Sequence, residues 1–356
     1  MRTTKNKIGA AALALLLLFA LLLCSCAGTG TPPEVEAVYS YHTELQQAYL
    51  ADAYGNVALY ADGTKELSRP APVTIDLSDY DGYKEIEVSD RFDMKGAKTY
   101  SIVDRTAEIY NLTAGKVYYY RVVKKGGKSD VHAFQTEEVY PRNIYIDGVT
   151  NARDLGGYTV EGGKIKQGML YRTAKLNKNH TDEPTHLITQ KGIDTMLNTL
   201  KVKTEIDLRL TSDNEIGGLK RSVLGNSVKY VNCPMVADES MLTDNDQMIR
   251  KVFQTLADER NYPVFYHCSI GTDRTGYISF LILTLLGAEE EDVYRDYLYS
   301  NFGKIGGSRS TTNLSGFSLY LGIHPGKTRA EKAKNLLLDA GVTEKEINEI
   351  KRIMIE

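Results

Sequence analysis

The chain has no tryptophan, four cysteines and nine prolines in 356 residues. Without tryptophan, no site can be built on an indole ring. Cys24 and Cys26 lie in the first segment, so only Cys233 and Cys268 are left for the rest of the chain. Neither belongs to a Cys-x-x-Cys pair, which argues against structural zinc. Outside a cell the two could pair as a disulfide, but spacing alone does not show whether they meet. An excess of either charge is also missing: 43 basic and 46 acidic side chains leave a net charge of −3. A general nucleic-acid binder is excluded on that balance, while a local basic pocket is not. Long apolar stretches are confined to the first 23 residues, and no internal repeat is evident.

What that first segment does contain is ordered. Arg2, Lys5 and Lys7 precede an apolar run from Ile8 to Leu23, the arrangement of a charged and then a hydrophobic leader region. The run ends in "LCSC", which resembles a bacterial lipobox. The resemblance implies cleavage before Cys26 and a lipid on its thiol. Residues 1–25 are then a lipoprotein signal peptide, and 26–34, "CAGTGTPPE", a tether. The expected location is extracytoplasmic, anchored to the bacterial cell membrane.

Residues 35–138 read as all-β. Short runs such as "EAVYSYHT", "GNVALYAD", "APVTIDLS" and "KVYYYRVVKK" are separated by Gly, Asp and Ser turns. "LTAGKVYYYRV" followed by "FQTEE" resembles the last strands of a fibronectin type III domain, so a small sandwich acting as spacer or docking module is expected. From residue 139 the pattern alternates. "HLITQKGIDTMLNTL" reads as a helix, "KTEIDLRL" and "SVKYVNCPM" as strands, and "DNDQMIRKVFQTLAD" as a helix. Alternation of this kind predicts an α/β sheet with flanking helices over 139–356, its strand ends converging on one crevice.

The chemistry concentrates in "YHCSIGTDRTGY", residues 266–277. "PVFYH" predicts a buried strand, and Ile278, Leu281, Ile282, Leu285 and Leu286 recur at helical spacing after it. Cys268 therefore stands at a strand end whose loop enters a helix N-terminus, where unpaired N–H groups favour an anion. Such a setting, with a cation nearby, lowers a thiol pKa enough to make a nucleophile. The N–H groups of Ser269, Ile270, Gly271, Thr272 and Asp273 can wrap phosphate oxygens as a nest. Gly271 permits the turn. Arg274 offers a planar fork to two further oxygens, Thr275 a hydroxyl to the sulfur, and Gly276 close packing of the helix start on the sheet.

"HCSIGTDRTG" resembles the signature loop of Cys-based tyrosine phosphatases, and more narrowly the atypical bacterial and fungal family whose loop ends in Asp-Arg-Thr-Gly. "NARDLGGY" (151–158), "GMLYRTAKL" (168–176), "EIDLRLTSDNE" (205–215) and "VYRDYLYSN" (293–301) match in the expected order. The resemblance implies a phosphocysteine at Cys268, phosphate binding by Arg274 and no cofactor. Its substrate is a phosphorylated protein or a small phosphomonoester. It departs at Thr272, where lysine is frequent, at Ile270, where a small residue is usual, and at Ala152, where an aromatic is usual. Loss of the lysine counts against inositol phosphates or phosphoinositides as substrates, the alternative reading. A surface binding protein without catalysis is the other rival.

The general acid is open. Many tyrosine phosphatases take it from a Trp-Pro-Asp loop, which a chain without tryptophan cannot have. Asp273 within the loop is the family's suggestion. Asp238, in "CPMVADES", stands in the kind of loop from which other Cys-based phosphatases recruit an acid, and Asp207 is a third candidate. Arg153 and Asp154 are candidates to brace the loop, and His267 to tune the cysteine through backbone hydrogen bonding. Asp207 with Arg209 also fits a structural pair at a strand end. His180 and His186 lack a third metal ligand, and "GIHPGKT" is one residue short of a P-loop.

Overall fold

The computed structural model describes residues 31–177, 187–211 and 219–356. Residues 1–30, with Cys26, and also His180 and His186, lie outside the described residues.

Alternating apolar residues build the N-terminal module. Its strands are β1 (Val35–Tyr39), β2 (Val73–Asp76), β3 (Glu85–Ser89), β4 (Lys98–Ser101), β5 (Thr106–Ile109), β6 (Val117–Lys124), β7 (Gly127–Lys128) and β8 (His132–Thr136). One sheet runs β1-β8-β6-β3-β4, with β7 on β6, and β2 pairs with β5 in a second. Tyr118, Tyr120 and Val122 alternate inward on β6 and meet Ile86, Val88, Val73 and Ile75, as period-two patterning requires. β1 lies parallel to β8.

The stretch between β1 and β2 does not follow the expected pattern. "GNVALYAD" is not a strand. Residues Tyr54–Leu59 form a 3-10 helix, preceded by α1 (Glu44–Leu50). Only Val57 and Ala61 of that run are buried, an i, i+4 spacing that the apparent alternation concealed. A capping box between Thr43 and Gln46 starts α1. Tyr49, Val57 and Ala61 pack into the hydrophobic core of the C-terminal domain, not into the sandwich. The all-β reading of 35–138 therefore needs correction here: an inserted helical segment docks on the neighbouring domain.

The second domain has strands β9 (Arg142–Asn143), β10 (Arg153–Asp154), β11 (Thr159–Val160), β12 (Gly163–Lys164), β13 (Leu170–Thr173), β14 (Thr204–Asp207), β15 (Lys229–Asn232) and β16 (Val264–His267). Its main sheet has the order β15-β14-β16-β13-β10-β9. The four strands from β15 to β13 are parallel, and β10 and β9 continue antiparallel. Every residue of β16 is buried: Val264 and Tyr266 enter the larger core and Phe265 the core on the opposite face. This two-sided burial explains the unbroken apolar strand.

Helices cover both faces. They are α2 (Gln190–Asp194), α3 (Asp246–Leu256), α4 (Asp273–Leu286), α5 (Glu290–Leu298), α6 (Thr311–Gly322), α7 (Arg329–Asp339) and α8 (Glu344–Met354). The expected helix in "HLITQKGIDTMLNTL" is shorter than its periodicity suggests; after α2 it continues as a π-helix over Thr195–Thr199. α4 is buried on all sides, as its nearly continuous apolar sequence demands. Gly287, with φ of 91°, ends it. Among the described residues no helix is long and apolar enough to cross a membrane.

Candidate active site

β16 delivers Cys268 to the C-terminal edge of the sheet, and α4 begins five residues later, so Ser269–Thr272 form a strand-to-helix loop. Thr272 makes no side-chain cap at the start of α4, which leaves first-turn N–H groups facing the loop. Cys268 is buried, whereas Ser269, Ile270 and Asp273 are partly exposed and mark the open side. Gly271 has φ of +71°, and a Cβ there would lie 2.6 Å from the Thr173 carbonyl oxygen. No larger residue fits without moving the β13 backbone. Gly276 meets the Tyr297 ring of α5, which a Cβ would approach to 2.6 Å; its small size serves helix–helix contact, not the helix–sheet packing expected.

Arg274 is nearly buried and donates from Nη1 to the carbonyls of Leu208 (3.3 Å) and Met235 (3.2 Å). Those carbonyls follow β14 and β15, so two strand ends hold the guanidinium beneath the loop. Burial alone would push the Cys268 thiol up. The Arg274 charge, then the Thr275 hydroxyl and N–H and the Gly271 N–H, outweigh it and hold the thiol below its ordinary value. The buried Thr275 hydroxyl has no conventional partner, which leaves it to the sulfur. The result is a buried, ionisable nucleophile facing a cation and a helix N-terminus.

His267 is fully buried. Its Nε2 lies 3.0 Å from Glu205 Oε1 and its Nδ1 3.1 Å from the Cys268 carbonyl oxygen. Burial opposes its charge, but Asp207 and Glu205 prevail and raise its pKa. In its charged form the imidazole would donate to both partners and fix the Cys268 carbonyl. Glu205, Asp207 and His267 come close enough to hold a metal ion; Glu205 Oε1, Asp207 and His267 engage one another or Arg209, while the buried Glu205 Oε2 has no hydrogen-bond partner. Asp207 accepts from Arg209 Nε (2.9 Å), Arg209 Nη2 (2.6 Å) and the Tyr230 hydroxyl (3.0 Å). Its pKa is lowered: burial works against the charge, and His267 and Arg209 override it. A buried carboxylate engaged in this way is poorly placed to deliver a proton, which makes Asp207 the weakest of the three acid candidates.

The other two aspartates differ. Asp273 forms a bidentate ion pair with Arg309, 2.9 Å from both Nε and Nη2, and accepts from the Tyr297 hydroxyl at 3.2 Å. Asp238 is exposed and accepts from the N–H (2.9 Å) and hydroxyl (2.8 Å) of Ser240, bonds that lower its pKa.

A buried ionic cluster supports the loop from below. Arg153 donates to Asp296 Oδ1 (2.8 Å), the Asp296 carbonyl (2.6 Å) and the Ser300 hydroxyl (3.0 Å). Arg172 donates to Asp296 Oδ2 and to the Gly271 carbonyl, each at 2.5 Å. Asn151 donates from Nδ2 to the carbonyls of Ile270 (3.1 Å) and Gly271 (3.0 Å), and its Oδ1 accepts from Arg153. These bonds turn the loop carbonyls away from the site and leave its N–H groups facing inward. Asp154, by contrast, pairs with Arg142 and accepts from the Gly156 and Gly168 N–H groups, which holds a turn and not the loop. Asn151, Arg172, Asp296 and Arg309 were not assigned roles by motif. An arginine inside the strand "LYRT" was the available signal, since a buried charge requires a partner elsewhere.

Cys233 and Cys268 are both free thiols. They follow β15 and β16, which flank β14, so their backbones stand roughly two strand spacings, ~9–10 Å, apart. A disulfide needs Cα atoms within about 7 Å.

Residues 144–315 match the tyrosine phosphatase family. The matched segment contains β10, β13, β14, β16, α4 and α5, hence the loop together with Asn151, Arg153, Arg172, Asp296 and Arg309. That segment, a little under half of the chain, is what is similar to the family. A Cupriavidus necator protein, named provisionally as a tyrosine-protein phosphatase, is 26% identical over 189 residues, or 45% of this chain and 63% of its own. A Nostoc commune tyrosine-protein phosphatase is 27% identical over 121 residues, 28% of this chain and 41% of its own. The chain thus spans about three fifths or less of the lengths of these relatives. The crystal structure of P. aeruginosa TpbA aligns at 20% identity with a TM-score of 0.31, covering 49% of this chain and 86% of that one.

Proposed function

We propose that the chain hydrolyses phosphomonoesters, with phosphotyrosine in proteins as the first substrate class, through a phosphocysteine at Cys268. The observation that carries this is the placement of the Cys268 thiol in a strand-to-helix loop with the anchored Arg274 guanidinium and the uncapped start of α4. The thiolate attacks phosphorus, a S–P bond forms, and the P–O bond to the leaving group breaks. The leaving oxygen takes a proton from an acid. Water then attacks the phosphocysteine, the S–P bond breaks, and inorganic phosphate departs with the thiolate restored. Arg274 and the loop N–H groups act on the charge of the transferring phosphoryl group. No step calls for a metal or a cofactor. Thr272 stands where a lysine would favour multiply phosphorylated inositols, so that alternative is the weaker reading.

A panel of aryl phosphates, phosphotyrosyl, phosphoseryl and phosphothreonyl peptides and inositol phosphates tests the proposal on the full chain. Wild-type protein should turn over aryl phosphates and phosphotyrosyl peptides, and Cys268→Ser should abolish turnover while still binding an oxyanion such as tungstate. Activity retained by Cys268→Ser, or lost in chelator and restored by a divalent ion, would overturn it.

We propose further that Cys26 carries a lipid, on the strength of "LCSC" after the apolar run, and that residues 26–34 tether the enzyme outside the cytoplasmic membrane. The paired sheets of the N-terminal module support a fibronectin type III-like sandwich. Replacing Cys26 by alanine should block metabolic lipid labelling and processing; normal labelling of the variant would refute the anchor.

A further inference from the structure

The segment between β1 and β2 reaches the phosphate loop. Ser68 is almost fully buried, and its hydroxyl accepts from the Asn151 backbone N–H at 2.9 Å. Glu66 orients Ser68: its Oε1 accepts from the Ser68 N–H (3.0 Å) and from the hydroxyl itself. Asn151 has φ of 54°, a left-handed conformation that needs fixing from outside. From that position its side chain holds the Ile270 and Gly271 carbonyls, as described above. The chain of contacts therefore runs Glu66, Ser68, Asn151, phosphate loop.

The same segment grips a second approach to the site. The Gly63 N–H donates to the Asn301 carbonyl (2.9 Å), and the Gly63 carbonyl accepts from Ile305 (2.9 Å), Gly306 (3.2 Å) and Gly307 (3.3 Å). Gly63 has φ of +75°, and a Cβ would fall 2.5 Å from the Gly307 oxygen, so only glycine fits this hook. Leu67 donates to the Phe302 carbonyl at 2.6 Å, and Glu66 Oε2 accepts from the Lys304 N–H at 3.2 Å. The fastened stretch leads to Arg309, whose own N–H is held by Asn301 Oδ1 at 2.7 Å and whose guanidinium holds Asp273. One short piece of the N-terminal module thus fixes both the carbonyl side and the aspartate of the loop.

We propose that residues 63–69 are a positioning element of the active site, supplied by the N-terminal module, with Ser68 acting on the phosphate loop through Asn151. The module is then a working part of the phosphatase and not a spacer. The inference rests on the phosphatase reading but concerns loop geometry, so its test pairs kinetics with two readouts that do not depend on turnover. In the full chain, Ser68→Ala should slow kcat by about tenfold with KM changed less, the effect of one lost buried hydrogen bond. The pH midpoint for alkylation of Cys268 by iodoacetamide should rise, and protection of Cys268 by tungstate should weaken. Glu66→Gln, which keeps Ser68 but removes its charged partner, should shift all three in the same direction to a smaller extent, with the melting temperature near that of the parent. If both variants leave alkylation midpoint, tungstate protection and kcat within twofold of the parent, the positioning role is refuted. Should Ser68→Ala not fold, Glu66→Gln decides alone. If the parent turns over no phosphomonoester, alkylation and protection still report on the loop, so the two readings fail separately.

Discussion

At the residue scale the open question is the proton. Asp273 has both oxygens engaged by Arg309, and must leave that pair to donate. Asp238 sits in an exposed turn outside the loop, bonded only to Ser240 among the contacts described above. A positioned acid contributes about 10²–10⁴-fold, most for poor leaving groups. Asp273→Asn should therefore slow phenyl and alkyl phosphates far more than an activated aryl phosphate, and flatten the alkaline limb of the pH–rate profile. If Asp238→Asn shows that dependence and Asp273→Asn does not, the acid comes from the Asp238 turn and Asp273 serves the loop. The acid limb belongs to the thiol. Thr275→Val removes a group that lowers the Cys268 pKa, so this limb should move to higher pH, as should the alkylation midpoint. Cys268, Arg274 and their loop were legible because one contiguous stretch carries them. The acid was not, because an aspartate's role depends on partners such as Arg309, 36 residues away.

At the element scale, α5 secures β10 and β13 through one carboxylate. Asp296 is buried between two arginines, and although burial opposes its charge, Arg153 and Arg172 lower its pKa. A carboxylate depressed in this way stabilises the fold above its unfolded pKa of ~3.9, and that stability is lost as pH falls through the lower native value. Asp296→Asn leaves two buried guanidinium groups without their shared anion and should cost roughly 3–5 kcal/mol in denaturant unfolding. A loss below about 1 kcal/mol would mean that solvent already shields the cluster. The sequence signalled β16 and α4 strongly, since burial on every side leaves a long apolar run. It signalled α1 weakly: the Thr43–Gln46 capping box was present, but few apolar residues followed it.

At the scale of the whole molecule, the shift from β to α/β patterning was legible and the contact between the two parts was not. Composition marks the change from β to α/β near residue 139, yet a docked insertion leaves no mark when its contacts are single residues such as Tyr49 and Val57. Each fully buried side chain of that size is worth about 1.5–3 kcal/mol. Arg295 adds bonds to the Tyr49 (3.1 Å) and Asp52 (2.9 Å) carbonyls. A fragment of residues 139–356 should therefore melt at a lower temperature than the full chain and expose an apolar face that binds a hydrophobic dye. Equal melting temperatures and no dye binding would show that the docked segment adds nothing to stability.

The separation of the two thiols governs how the molecule meets an oxidant. Burial pushes the Cys233 thiol up to about 12, whereas Arg274, with the Thr275 and Gly271 donors, holds the Cys268 thiol below its ordinary value. Peroxide should attack Cys268 alone, since thiolate character selects the site. Among the described residues, the sulfenic acid it forms has no second thiol in reach to condense with, because β14 stands between Cys268 and Cys233. Brief exposure to peroxide should be reversed by a thiol reductant, and prolonged exposure should not, as the sulfur passes to sulfinic acid. Mass spectrometry of the peptide around residue 268 would follow each stage, with Cys233 unmodified throughout.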